Sequence, residues 1–224
     1  MPVRCLLALL LLLTAWQPAA RAVLDARSLL SASATSVGTI YSNGDLAWRS
    51  WSWGLSQLSL RDPSNPMPGA RASLCMSVQP FGALSLRSPM PFALEGGVLG
   101  FYLRANSNST ATADAAAGAA ASLGALELQF ESSQPSRYSI THSVSLGDLL
   151  SPADLVAAAA GEWVAVKAPL SAFAQQQAEG DAPFKADRLT VGLCLQRMDG
   201  CSAGMPALDV CLDKLVIVSA AQRK

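Results

Sequence analysis

Apolar residues in this chain recur at every second position over short stretches that Gly, Pro, Ser and Asn interrupt, the spacing of strands rather than of amphipathic helices. The pattern predicts strands over residues 39–42, 48–54, 70–78, 98–104, 126–131, 163–168, 189–196 and 208–218. Short strands separated by turns in this way predict an all-β protein, two antiparallel sheets packed face to face. The alanine run at 155–161 predicts a short helical turn before the strand at 163. The stretch 105–125, rich in Ala, Ser, Thr and Asn, is expected to be a low-complexity surface loop. Alanine alone favours helix there, but Gly118 and the polar flank argue against it.

Successive side chains of a strand point to opposite faces, so the alternation also assigns them. Leu126, Leu128 and Phe130 read inward, which turns Glu127, Gln129 and Glu131 outward. Leu99, Phe101 and Leu103 read inward, leaving Tyr102 and Arg104 outside. Trp163 and Lys167 flank an inward Val164 and Val166, and the strand ending at 196 buries Leu189, Val191, Leu193 and Leu195 while turning Arg188, Thr190, Gly192 and Gln196 outward. If these strands share one sheet, its outer face combines aromatic rings with acids, amides and cations. Such a mixture suits a sugar, whose C–H face stacks on a ring while its hydroxyls pair with polar groups. The plainer expectation is a solvated face of cross-strand charge pairs.

Three of the five tryptophans fall within six positions, in "WRSWSW" at 48–53. In a strand Trp51 and Trp53 must share a face, and Trp48 must face the other way or sit in the turn. Core burial is expected for Trp51 or Trp53, and Trp48 beside Arg49 is the expected ligand or edge contact.

The N-terminus changes the compartment. Arg4 precedes an apolar run, and Ala20 and Ala22 offer a cleavage site, so residues 1–22 read as a signal peptide and the mature protein as secreted. Residues 23–37 form a lead-in and 38–219 the sandwich domain. Of 16 basic and 16 acidic residues, the signal removes Arg4 and Arg21, leaving 14 against 16. No basic patch for nucleic acid follows, and no membrane span is expected. Four cysteines remain after Cys5 is removed: Cys75, Cys194, Cys201 and Cys211, an even set that predicts two disulfides of open connectivity. Asn108 opens the sequon Asn108-Ser109-Thr110, a glycosylation acceptor.

Catalytic patterns are missing. No G-x-S-x-G elbow, P-loop, dinucleotide fingerprint or HExxH occurs, and His142, the single histidine, reads as a strand or loop residue. Glu127 and Glu131 are four apart on one strand, about 13 Å, too far for a retaining glycosidase pair. No enzyme is expected.

The ordered segments "IYSNGDLAWRSWSWG", "ARASLCMSV", "GVLGFYLRA", "EWVAVKAPLSAF", "ADRLTVGLCLQ" and "LDVCLDKLVI" resemble galactose-binding-like β-sandwich domains, the jelly roll of many carbohydrate-binding modules. The resemblance implies a jelly-roll fold. It also implies a possible structural Ca²⁺ near Asp213, with Asn43 and Asp45 supplying oxygens, although Lys214 stands where a second acid is common. The function these readings favour is a secreted, non-catalytic module recognising a cell-wall or extracellular-matrix glycan, on a polysaccharide or a glycoprotein. The alternative is a structural or adhesion protein that binds another extracellular protein, and less favoured is a polysaccharide-acting enzyme.

Overall fold

The computed structural model describes residues 36–94, 96–106, 113–132, 139–141, 143–173, 184–196 and 206–219, all within one compact unit, Thr35–Lys224. The expected signal peptide, Asn108, His142 and Cys201 lie outside them.

Eleven strands are described: β1 Ser36–Ser42, β2 Asp45–Leu46, β3 Arg49–Asp62, β4 Ser73–Ala93, β5 Gly97–Ala105, β6 Leu126–Ser132, β7 Ser139–Ile140, β8 Val144–Ser145, β9 Val164–Pro169, β10 Lys185–Leu193 and β11 Leu208–Ser219. Every described pairing is antiparallel. In one layer β11 is central, with β5 and then β9 on one side and β1, β2 and the first half of β4 on the other. In the second layer the later half of β4 pairs with β10, and β10 with β6. β3 follows β4 along the edge of both layers. The ladder is therefore continuous, because β3 and β4 pass from one layer into the other.

The passage depends on two glycines. Gly54 has φ +58°, and a Cβ on Gly82 would lie 2.2 Å from the Gly54 carbonyl oxygen, so the two backbones touch where side chains would hold them apart. Phe81, beside this crossing, also has positive φ. Between the layers lies one apolar core, to which β4 gives Leu74, Leu84 and Leu86, β5 Leu99 and Phe101, β6 Phe130, and β10 Leu189 and Val191. Phe130 packs edge-on against both Phe92 and Phe173.

Among the described residues three α-helices lie between strands, α1 Ala113–Gly124, α2 Leu146–Leu149 and α3 Pro152–Ala159. α1 corrects the expectation of a loop throughout 105–125. High alanine propensity is supplemented by fully buried Leu123, which joins the core cluster, so Gly118 does not decide the outcome. α2 begins with a capping box formed by Ser145 and Asp148, and α3 with Ser151 as N-cap ahead of Pro152.

Candidate functional site

Register within the second layer decides which side chains leave the core. Leu84 and Leu86 are core residues of β4, opposite Ser52 and Ser50 of β3. The alternate positions Trp51 and Trp53, opposite Ser85 and Ala83, therefore face away from the core. Trp51 is 63% exposed, its ring 4.9 Å from that of half-buried Trp53 at an interplanar angle of 37°. The Trp53 indole N–H donates to the Phe81 carbonyl oxygen (2.9 Å), and Phe81 is itself exposed. Edge strand β3 thus carries serines on the core side and indoles on the solvent side.

This reverses the expected roles of the tryptophans. Trp48 is buried and packs against Phe92 with centroids 5.7 Å apart, so it is a core residue and not the ligand contact. It precedes β3, and its orientation is not set by the alternation that turns Trp51 and Trp53 outward.

The polar face expected from four strands is divided between two layers. Glu127, Gln129 and Glu131 lie on the outer side of β6 in the second layer, but all three are buried. Glu131 pairs with Arg188 (3.0 Å) and accepts a 2.6 Å bond from the Thr190 hydroxyl, which sits 3.2 Å from Ser85 Oγ. Glu127 accepts the Gln196 backbone N–H (3.1 Å). The Gln196 side chain donates to the Thr141 carbonyl and accepts from the Ser143 N–H. These groups fasten strands and loops to one another, so Gln196 in particular is a staple.

Tyr102, Arg104, Trp163 and Lys167 belong to the β5–β9 side of the first layer. Tyr102 is 1% exposed, with the Lys214 ammonium 5.9 Å from its ring centre, and is closed to a ligand. Arg104 stacks over half-buried Trp163 at 5.8 Å. Burial lowers the Arg104 pKa, and the nearby Asp62 opposes that shift. Lys167 is exposed. Outward side chains of the two layers point in opposite directions, so the two groups do not form one site.

The residues proposed for calcium do converge on one place, with different chemistry. Asn43 and Gly44, both at positive φ, make the two-residue turn joining β1 and β2. The Asn43 backbone N–H (3.1 Å) and the Lys214 N–H (2.7 Å) both donate to Oδ1 of fully buried Asp213. Asn43 Oδ1 accepts from the Arg71 N–H, and Asp45 pairs with Arg61 at the surface. Calcium takes six to eight oxygen ligands. Here two N–H donors already occupy Oδ1 of the one buried carboxylate, a lysine follows it, Asp45 is paired with Arg61 and Asn43 Oδ1 is taken by a backbone N–H, so these three residues do not suit the ion. Asp213 Oδ2 has no hydrogen-bond partner. Burial raises the Asp213 pKa against those donors and the Lys214 charge. Burial and the Asp213 charge also raise the pKa of the Tyr41 phenol, which donates to the Leu60 carbonyl. Among the described residues, Asp62, Cys75 and Cys211 form the one grouping at metal-ligand distances, and its two sulfurs are bonded to each other.

Cys75–Cys211 joins directly opposed residues of β4 and β11. Cys194 is also disulfide-bonded. No helix among those residues is long and apolar enough to cross a membrane.

No protein-family model and no curated protein matches the chain. Solved structures do. The family 30 carbohydrate-binding module of the Clostridium thermocellum cellulosomal cellulase Cel9D-Cel44B aligns with a TM-score of 0.53 at 13% identity, covering 84% of this chain and 99% of that one. Another family 30 module structure gives 0.53 at 14% identity over 85% and 91%. At that identity the likeness concerns the backbone alone: this chain has the antiparallel β-sandwich fold of those carbohydrate-binding modules.

Proposed function

We propose that this protein is a secreted, non-catalytic carbohydrate-binding module that recognises a glycan of a cell wall or extracellular matrix. One observation carries the reading: the exposed Trp51 ring, backed by Trp53, on the outward side of edge strand β3. Trp51 and Phe81 leave aromatic surface open to a ligand, and an indole face stacks on the C–H face of a pyranose. The fold shared with modules whose function is carbohydrate binding supports the same class of ligand. Two further features support a non-catalytic role and secretion. The carboxylates of Glu127 and Glu131 already bond to the protein, and a disulfide follows the N-terminal apolar run in sequence.

The test is retention of the mature chain on a panel of insoluble and soluble wall and matrix polysaccharides. Retention that disappears in Trp51→Ala is expected. Absence of retention on every polymer, with recovery instead of protein complexes insensitive to added sugar, would replace this reading with that of an adhesion protein.

A further inference from the structure

Resting on the carbohydrate-binding reading, we propose that the ligand is an anionic glycan: one sugar stacks on Trp51 while its carboxylate or sulfate group is held by Arg49, at the exposed end of a row of arginines. Arg49 of β3, Arg87 of β4 and Arg188 of β10 are successive cross-strand partners, and Glu131 of β6 completes the row. Neighbouring strands lie about 4.8 Å apart, so three cationic positions stand side by side on one face. Like charges directly opposite one another destabilise a sheet. Acids offset the row at its inner end: Glu131 lies 3.0 Å from Arg188, and Asp187 lies 3.5 Å from Arg87. Those two carboxylates are nearly buried, whereas the Arg87 side chain is 56% exposed. Arg49 is exposed and forms no ion pair with a described residue. Among the described residues the acids stand at Arg87 and Arg188 and none pairs with Arg49, so the surface end of the row carries a guanidinium without an ion-pair partner there.

Arg49 and Trp51 are two residues apart in unshifted register, so their side chains leave the same face about 7 Å apart along the strand. An indole beside a guanidinium matches a pyranose that bears an anionic substituent. The ring supplies the stacking surface, and the guanidinium fork supplies charge-assisted, bidentate bonds to carboxylate or sulfate. An uncharged glucan gives such a row nothing to neutralise it.

Affinity electrophoresis of the mature chain tests this with two matched pairs of polymers: polygalacturonate against its fully methyl-esterified form, and dextran sulfate against dextran. Retention is expected on a charged member and to weaken as salt screens the contact. A preference between polygalacturonate and dextran sulfate identifies the group as carboxylate or sulfate. Arg49→Gln is expected to lower affinity about tenfold to hundredfold, Trp51→Ala to lower it about thirtyfold or more, and Lys167→Ala, on the other layer, to leave it unchanged. Equal retention on charged and uncharged members, unaffected by Arg49→Gln, overturns the anionic assignment and leaves carbohydrate binding standing. Retention on charged polymers that survives Trp51→Ala is ion exchange and also overturns it. No retention on any of the four polymers or the wider panel overturns both readings.

Discussion

Replacing Gly82 by alanine tests the strand crossing that brings Trp53 and Phe81 together. The added Cβ would sit 2.2 Å from the Gly54 oxygen, 2.7 Å from its carbonyl carbon and 2.9 Å from the Gln79 oxygen. All three atoms are backbone, so no side chain can swing aside and β3 must move off β4. Overpacking of this kind costs about 1–3 kcal/mol, and rigid neighbours put it near about 3. For a domain of this size 1 kcal/mol shifts Tm by about 2–4 °C, so Gly82→Ala is expected to melt roughly 6–12 °C lower. Gly118→Ala in α1 is the matched control, because a Cβ there meets nothing within 4 Å. It removes the glycine penalty of about 0.5–1 kcal/mol and should raise Tm by a few degrees. Calorimetric melting of the three proteins reads both effects. A Gly82→Ala protein that melts with the wild type would refute the close approach at the crossing.

Trp48→Ala is expected to cost about 3–5 kcal/mol of stability, as for other buried tryptophans; a urea midpoint near that of wild type would return Trp48 to the surface. Removing the Cys75–Cys211 bond by the double Cys75→Ala, Cys211→Ala change should cost about 2–5 kcal/mol, because it frees a loop spanning 136 residues. A shift below about 1 kcal/mol in the same titration would show that the bond adds little constraint to the unfolded chain. Asp213 supplies a pH test. Burial raises its folded-state pKa, so between the ordinary aspartate value of about 3.9 and the folded value the native protein holds a proton that the unfolded chain has lost. Its contribution to stability is fully present below that window and is lost as pH rises through it. Asp213→Asn removes this loss, so stability of the variant relative to wild type should grow from acid to neutral pH. A constant difference across that range would show that burial does not govern the carboxyl.

Period-two alternation placed the main strands well. The core faces of β5, β6 and β10 follow directly from Leu99 and Phe101, Leu128 and Phe130, and Leu189 and Val191. The length of β4 was hidden by Pro80, Gly82, Pro89 and Pro91, which read as breakers. In the fold, Pro80 and Gly82 occupy the crossing between layers, while Pro89 and Pro91 fall where the β4–β10 register shifts. α1 is not legible from composition alone, because the burial of Leu123 that holds it to the core is a tertiary contact. The turn at Asn43-Gly44 is legible in the sequence, because Asn-Gly between two strands is a hairpin signal. The tryptophans were misassigned for a physical reason: alternation fixes that Trp51 and Trp53 share a face, but not which face is dry. The alternating Ser50 and Ser52 could have supplied that information only if the outward position of large rings had been allowed. Which outer faces coincide is a long-range property of strand order, so Tyr102 and Glu127 could be grouped from sequence though they lie on different layers.

The central claim is that Trp51 is placed for a ligand and not for the fold. Its ring has about 150 Å² open to solvent, and covering half of that by a sugar at about 25 cal/mol per Å² gives about 2 kcal/mol, or about thirtyfold in affinity. Titration calorimetry of wild type and Trp51→Ala against the best-retained polysaccharide, with melting curves of both, measures the two quantities together. The account predicts that affinity falls about thirtyfold or more while Tm moves by no more than about 2 °C. Unchanged affinity, or a loss of affinity that merely accompanies a large fall in Tm, would contradict it.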